Sequence, residues 1–154
     1  MKKYFMKICL LGDVGVGKRA LLERLVFGRL DTIIRYKTRL SIDPTTYFTK
    51  EFIMNEDEIR LVSWYPMVGD LTFKFSAKIY FKGARGLILA YDITNDDSLY
   101  NLEGWIKDYR ENAERLDLPM VLVGCKVDLE ENRSVSKDEA LEFTKKHKTT
   151  QHSV

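Results

Sequence analysis

The chain alternates short, continuously apolar segments with longer stretches in which apolar residues recur every three to four positions. The apolar segments are typical of parallel strands buried on both faces of a sheet. They comprise residues 8–11, 86–91 and 120–124, with Tyr4-Phe5-Met6 before the first. Residues 47–54 and 59–64 flank the turn-forming Asn55-Glu56-Asp57-Glu58, which predicts an antiparallel hairpin.

Three stretches are expected to be helices because their apolar residues share one face. Residues 17–27 form the first of them. Residues 98–114 form the second, directly after Asn95-Asp96-Asp97, which favours a helix start. The third follows Ser136, whose spacing to Glu139 is that of a capping box.

The order of these elements, β-α-β-β-α-β-α-β-α, predicts an α/β fold with a doubly wound, mostly parallel sheet and one antiparallel hairpin. The length of 154 residues suits a single domain that covers the whole chain, 1–154. Sheets of this class bind ligands beyond the C-terminal ends of their strands. Functional residues are therefore expected in the loops that follow the strands.

Composition narrows the class of function without identifying it. A net charge of +2 with no clustered basic face disfavours a nucleic-acid interface. Cys9 and Cys125 form neither a disulfide framework nor a zinc motif, and they fit a reduced, cytoplasmic protein. His147 and His152 have no acid or cysteine arranged around them, so no metal site is expected there. The N-terminal apolar run is broken by Lys7 and is too short for a secretory signal.

A phosphate-binding loop is predicted between the first strand and the first helix. Its sequence, Gly12-Asp13-Val14-Gly15-Val16-Gly17-Lys18, fits the pattern G-x-x-x-x-G-K in the strand–loop–helix context that this motif requires. The glycines let backbone N–H groups turn toward phosphate oxygens, and the start of the helix at Arg19 and Ala20 adds partial positive charge. Lys18 is expected to reach the terminal phosphates.

Arg19 stands where loops of this kind have a serine or threonine, whose hydroxyl binds magnesium. A guanidinium only donates hydrogen bonds and cannot ligate a cation, which makes magnesium binding doubtful. Two orientations are open. Arg19 either points away as a helix surface residue, or lies near the phosphates and partly replaces the charge of the metal.

Three segments carry a resemblance to a known family. Residues 79–95, IYFKGARGLILAYDITN, are similar to the YYRGAxGxxLVYDxT stretch of Rab GTPases, and GDVGVGK is similar to their GDSGVGK. Cys125-Lys126-Val127-Asp128 resembles the guanine-reading N-K-x-D motif, with cysteine in place of asparagine. The chain therefore resembles a small GTPase of the Ras superfamily, Rab-like branch, over roughly residues 4–146.

The resemblance implies a Ras-like P-loop NTPase fold, GTP or GDP as ligand, and effector or regulatory proteins that bind through switch regions. Asp128 would accept hydrogen bonds from guanine, and the stem of Lys126 would stack over the base. Cys125 would contribute a weaker contact than the asparagine it replaces.

Departures from the family pattern fall on residues that support hydrolysis. Where the family has W-D-T-A-G-Q, this chain has Trp64-Tyr65-Pro66-Met67-Val68-Gly69-Asp70. Counting back from Gly83 puts Gly69 at the switch glycine, Pro66 at the metal-supporting aspartate and Asp70 at the water-positioning glutamine. Asp70 is either a surface acid or a working base. Weak or lost hydrolysis is the expected result.

The first switch and the C-terminal end are less clearly matched. Thr45, in Asp43-Pro44-Thr45, resembles the switch threonine, with Thr38 and Ser41 as alternatives. Residues 151–154 could be only the beginning of the family's last strand, and the S-A-K loop and last helix have no counterpart before Val154, so that strand and helix are expected to be absent. An exposed sheet would favour an oligomer or a covering partner. The ending His-Ser-Val offers no prenylation site for a direct lipid anchor.

The alternative hypothesis is a nucleotide-independent interaction module, a pseudo-GTPase, on the same fold. Its surface would consist of aromatic residues at places where Rab-like proteins meet effectors, unless these residues pack inside the switches. They are Phe48, Trp64, Phe73 and Tyr80. A small-molecule P-loop kinase is disfavoured by Asp128 and by the YDITN stretch.

Overall fold

The computed structural model describes residues 2–27, 45–54, 57–66 and 77–153. Strands and helices alternate along this part of the chain, and residues 77–81 are also helical. In chain order the elements are β1 (Lys3–Leu11), α1 (Lys18–Phe27), β2 (Thr45–Met54), β3 (Asp57–Pro66), β4 (Ala84–Asp92), α2 (Asp96–Tyr100), α3 (Leu102–Asn112), β5 (Met120–Cys125), a 3-10 helix (Val127–Asn132), α4 (Lys137–His147) and β6 (Thr150–Ser153).

The strands form one six-stranded sheet in the order β2-β3-β1-β4-β5-β6. β2 and β3 pair antiparallel, and the other neighbouring strands pair parallel. The predicted fold class, with its single hairpin, is thereby confirmed. The hairpin turn is tighter than expected, because Met54 already pairs with Asp57 and both Asp57 and Glu58 belong to β3.

The expectation that the C-terminal strand is absent is wrong. Thr150–Ser153 form β6, which pairs parallel with β5 from Val121↔Thr150 to Gly124↔Ser153. The segment reads TQHS and contains no apolar residue, so hydrophobic patterning could not reveal it. Backbone pairing needs no apolar side chain, and β5 offers it a row of N–H and C=O groups.

The single helix expected over residues 98–114 is instead two helices, α2 and α3, that meet at Asn101. The Asn101 N–H donates to Asp97 O and closes α2, while its carbonyl accepts from Gly104 and Trp105 and opens α3. Asn95 caps the start of α2 by accepting from the Asp97 N–H at 3.1 Å, as its position predicted. The expected capping box at α4 is also confirmed, with Ser136 Oγ accepting from Glu139 N at 3.1 Å.

Apolar side chains pack on both faces of the sheet. Alternation along β1 sends Cys9 and Leu11 into a larger cluster with Trp105, and Leu10 into a smaller one with Leu22 of α1. The N-terminal half of β1 is different, since Tyr4, Phe5 and Met6 are 46%, 66% and 36% exposed. Within the described residues, no helix combines the length and the apolar character needed to cross a membrane.

Candidate functional site

The predicted site residues of two segments, 12–20 and 125–128, lie where β1, β4 and β5 end. These three strands are parallel neighbours, so their C-terminal ends lie at one edge of the sheet and the loops that follow meet there. Residues 12–17 connect β1 to α1, and Lys126 is the N-cap residue of the 3-10 helix that follows β5. The loop after β1 closely approaches the C-terminal end of β5 at this edge, at Gly17 and Cys125.

Two glycines make this close approach and the loop conformation feasible. Gly12 has φ +141°, and a Cβ there would lie 2.2 Å from Ala90 O of β4. Gly17 has φ +111°, and a Cβ there would lie 3.2 Å from Cys125 Cβ. Larger residues at either position would push the loop away from the sheet edge. The motif glycines thus let the loop lie against β4 and the segment after β5.

Lys18 is held beneath the loop. Its side chain is nearly buried, at 7% exposure, and its Nζ donates to Gly12 O at 2.6 Å and to Asp13 O at 2.5 Å. Burial lowers the pKa of Lys18 to about 8, against the opposing influence of Asp13 and Cys125. An ammonium has three donors, so an anion at the loop can take the third without displacing either carbonyl.

The Asp13 side chain turns toward α3. Asn101 Nδ2 donates to Asp13 Oδ2 at 2.7 Å, and Trp105 Nε1 donates to Asp13 Oδ1 at 2.9 Å. Both carboxylate oxygens are therefore engaged by residues 88 and 92 positions away in sequence. Sequence reasoning missed Asn101 and Trp105, because nothing in the local pattern of α3 indicates a partner in another loop.

Arg19 lies along α1. Its Nε donates to Glu23 Oε1 at 2.8 Å, an i,i+4 pair in which the Glu23 side chain is 8% exposed and that of Arg19 39%. This geometry favours the surface orientation over one directed at the loop. Ala20, the next residue of the helix, is exposed.

The segment after β5 brings three polar groups together. Lys126 has a left-handed backbone, φ +66°, and its Nζ lies 2.6 Å from Asp92 Oδ2 at the end of β4. The other oxygen of Asp92 accepts from Thr94 N and Oγ1. Although burial alone would raise the pKa of Asp92, the bonds from Lys126 and Thr94 hold it below its ordinary value. Asp92 was missed as a site residue, though it sits inside the family-like YDITN stretch.

Cys125 and Asp128 differ sharply in environment. Cys125 is 5% exposed, and its burial, followed by the nearby charge of Asp92, raises the pKa of the thiol to about 11. The thiol is therefore neutral and a weak hydrogen-bonding group. Asp128 is exposed at the start of the 3-10 helix, where its carboxylate is available to a ligand.

The remaining predicted residues are distributed as follows. Val14 and Gly15 form the exposed outer turn of the loop, and Val16 is buried beneath it. Thr45 is the first residue of β2 and is the register partner of Pro66. Predicted positions that lie outside the described residues are Thr38, Ser41, Gly69, Asp70 and Phe73.

The aromatic surface suggested for an interaction module is wrong at Tyr80. That side chain is fully buried, with an exposure of 0%, and its hydroxyl donates to Leu10 O at 2.9 Å. It also packs edge-on against Phe81. Tyr80 is a core residue that ties the helical residues 77–81 to β1, and it is not available to a partner.

No group of three or more His, Cys, Asp or Glu side chains that could hold a metal occurs in the described ranges. Serine or threonine hydroxyls next to Lys18 would be the natural additional ligands, and that place is taken by Arg19. The described part of the site therefore offers an anion cradle with one buried cation, Lys18.

Comparison with known proteins gives a consistent result. The family model for the Ras family matches residues 7–153. The chain is 37% identical over 147 residues to the Ras-related protein Rab-11A of Dictyostelium discoideum, covering 96% of this chain and 65% of that protein. It is 36% identical over 151 residues to the GTP-binding protein ypt4 of Schizosaccharomyces pombe, covering 97% of this chain and 63% of that protein. The chain thus spans somewhat less than two thirds of the length of these two relatives.

Proposed function

The chain belongs to the Ras family, and from this premise we propose that it is a Rab-like switch protein that binds GTP and GDP and hydrolyses GTP weakly or not at all. The observation that carries the proposal is the close approach of Gly17 to Cys125, where a Cβ on Gly17 would lie 3.2 Å from Cys125 Cβ. It joins the phosphate-binding loop to the segment that resembles the guanine-reading motif. One ligand that carries both a base and phosphates can therefore occupy both parts of the site.

The phosphates would lie at the loop of residues 12–17, where backbone N–H groups and the start of α1 favour negative charge. Lys18 would donate its third N–H to a phosphate oxygen. A buried lysine attracts an anion strongly because little water screens the pair. Binding therefore depends chiefly on Lys18.

The base would be read by the segment after β5. Guanine presents two N–H donors on one edge, and an ionised Asp128 carboxylate can accept both. Lys126 is fixed by its bond to Asp92, so its aliphatic stem is preoriented to pack on the ring. Cys125 offers only a neutral thiol, which supports a guanine preference weaker than that of the usual motif.

Hydrolysis is proposed to be weak because three supports are changed together, at Arg19, Pro66 and Asp70. The family implies a magnesium ion, but the residues present do not fit one. Arg19 has no lone pair for a metal and its Nε is engaged with Glu23, while proline has no side-chain ligand. Electrostatic stabilisation by the metal and a positioned water dominates phosphoryl transfer, so their loss should slow it by several orders of magnitude.

Effector or regulatory proteins that contact the switch segments are the proposed partners. The free, buried cysteines Cys9 and Cys125 support a reducing compartment, and we infer the cytoplasm. The alternative function, a nucleotide-independent interaction module, keeps the fold but leaves the site empty in the cell.

Two measurements test the proposal. Chromatography of the denatured, freshly purified protein should release GDP or GTP, and Lys18→Met should abolish this. Single-turnover assays with labelled GTP should then give a rate far below that of an intact small GTPase. Absence of nucleotide, together with no binding of added GDP, would favour the interaction module. An ordinary hydrolysis rate would refute the claim of weak catalysis.

A further inference from the structure

The carboxylate of Asp13 places a negative charge inside a loop that is built to attract anions. Its two oxygens accept hydrogen bonds from Asn101 Nδ2 at 2.7 Å and Trp105 Nε1 at 2.9 Å. The two donors are four residues apart, one helical turn, so they face the loop together from the start of α3. The arrangement is a two-point clamp on one side chain.

A free carboxylate at this position would oppose phosphate binding in two ways. It would repel a phosphate of the same charge, and it would compete for Lys18. Competition for Lys18 is geometrically feasible, because Lys18 Nζ already donates to the backbone oxygen of Asp13 at 2.5 Å. Asp13 also acts electrostatically on Lys18, where it raises a pKa that burial lowers.

We propose that Asn101 and Trp105 are positioning residues for the phosphate loop, which hold the Asp13 carboxylate against α3 so that Lys18 and the loop N–H groups face a phosphate unopposed. The inference rests on the proposed nucleotide-binding function. It assigns a role in ligand binding to Asn101 and Trp105, which would act through Asp13.

The clamp is rigid because its donors are anchored independently. Trp105 is 7% exposed and packs in the larger core cluster, so its indole N–H is fixed in direction. Asn101 makes no side-chain capping bond at the start of α3, which leaves its amide for Asp13. The carboxylate is therefore aimed by α3 and not by the loop itself.

The test measures the Kd of fluorescently labelled GDP for the unmodified chain and for Trp105→Phe, Asn101→Ala and Asp13→Ala. Trp105→Phe keeps an aromatic ring in the core but removes the donor. We expect it to weaken binding about tenfold, the size of one hydrogen bond to a charged group. Asn101→Ala, at an exposed position, should weaken GDP binding several-fold. It tests the same proposal if Trp105→Phe fails to fold.

A double variant separates positioning from packing. If Trp105 acts through Asp13, then Trp105→Phe should change the Kd less than twofold when Asp13→Ala is already present. Tyr109→Phe is the matched control. It removes another hydrogen-bond donor of α3, the Tyr109 hydroxyl, which donates to Arg115 O at 2.6 Å and not to Asp13. It should leave the Kd unchanged while circular dichroism shows each variant folded.

Two results would overturn the inference alone. One is an unchanged Kd in both Trp105→Phe and Asn101→Ala. The other is a change in Kd on Trp105→Phe that is equally large in the unmodified chain and in the Asp13→Ala variant. If the unmodified chain binds no GDP or GTP, the proposed function fails and this inference fails with it.

Discussion

At the scale of single residues, two lysine side chains of the site are each held by specific partners. Lys18 is fixed by Gly12 and Asp13, and Lys126 is fixed by Asp92. Such groups have lost rotamer freedom before a ligand arrives, so less entropy remains to be lost on binding. Their protonation states then become measurable properties of the site.

Nucleotide affinity should fall as the pH rises above about 8, because burial lowers the pKa of Lys18 to about 8. Bound phosphates would raise that pKa again, so above pH 8 binding must take up a proton. The affinity should drop by at most about tenfold per pH unit. Calorimetry in buffers of different ionisation enthalpy measures this uptake directly. Lys18→Arg, which cannot titrate in this range, should remove the pH dependence, and a flat profile in the unmodified chain would contradict the prediction.

Chelating magnesium should barely change nucleotide affinity, since Arg19 replaces a hydroxyl ligand. Because its Nε already bonds Glu23 at 2.8 Å, Arg19→Ser should also leave metal-free affinity unchanged. Titration of labelled GDP with and without a chelator tests both points. Lys107→Ser, which removes a helix cation paired with Glu111, is the matched control. A steep magnesium dependence of the unmodified chain would refute the prediction, and weaker metal-free binding by Arg19→Ser would place the guanidinium near phosphate.

At the scale of elements, the parallel register of β1, β4 and β5 brings the loops together. The ladder between β4 and β5 ends with Asp92 paired with Cys125, which puts Lys126 within reach of Asp92. The short 3-10 helix then presents Asp128 to solvent. The proposed recognition of the base would therefore depend on how two strands end.

Guanine nucleotides should bind more tightly than ATP by roughly tenfold or more, since Asp128 retains hydrogen bonds that adenine cannot supply. Asp128→Ala should remove most of this preference. Glu131→Ala changes another exposed acid of the same 3-10 helix and should preserve it. Competition of GTP and ATP against labelled GDP is the measurement. Equal competition by ATP and GTP in the unmodified chain would count against a role for Asp128.

At the scale of the whole molecule, the two faces of the sheet are covered to different extents. The larger cluster includes Trp105, Ile106 and Phe143 from helices α3 and α4, whereas the smaller one includes Leu22 of α1. Apolar side chains remain exposed along the first half of β1. Because successive side chains of a strand alternate between its faces, Tyr4 and Met6 expose apolar surface on one face and Phe5 on the other, and exposed apolar surface promotes association.

The 154-residue chain should therefore form oligomers or bind a dye specific for apolar surface. Tyr4→Ser combined with Phe5→Ser should reduce both effects, because these side chains are 46% and 66% exposed. Leu116→Ser removes a single apolar residue of similar exposure, 62%, between α3 and β5 and should change neither. Light scattering across a concentration series measures the association. A monomer without dye binding would contradict the prediction.

Features set by neighbouring residues were predictable from the sequence alone. Apolar periodicity located the strands and most helices, because burial demands one pattern for a strand and another for a helix. The glycines and Lys18 predicted a phosphate loop between β1 and α1, and its conformation depends on residues within one short segment. The capping box of Ser136 and Glu139 was equally local. Site residues Gly69 and Asp70 stay predictions, because they lie outside the described residues.

Features set by contacts between distant segments were decided only by the tertiary structure. The bonds of Asp13 to Asn101 and Trp105 span 88 and 92 residues, and no periodicity records such a pairing. The polar strand β6 exists because β5 supplies backbone partners, and Tyr80 is buried because β1 passes beside it. The hydrogen-bond partners and the burial of these residues depend on which residues the sheet register places next to them. That register is a property of the folded chain as a whole.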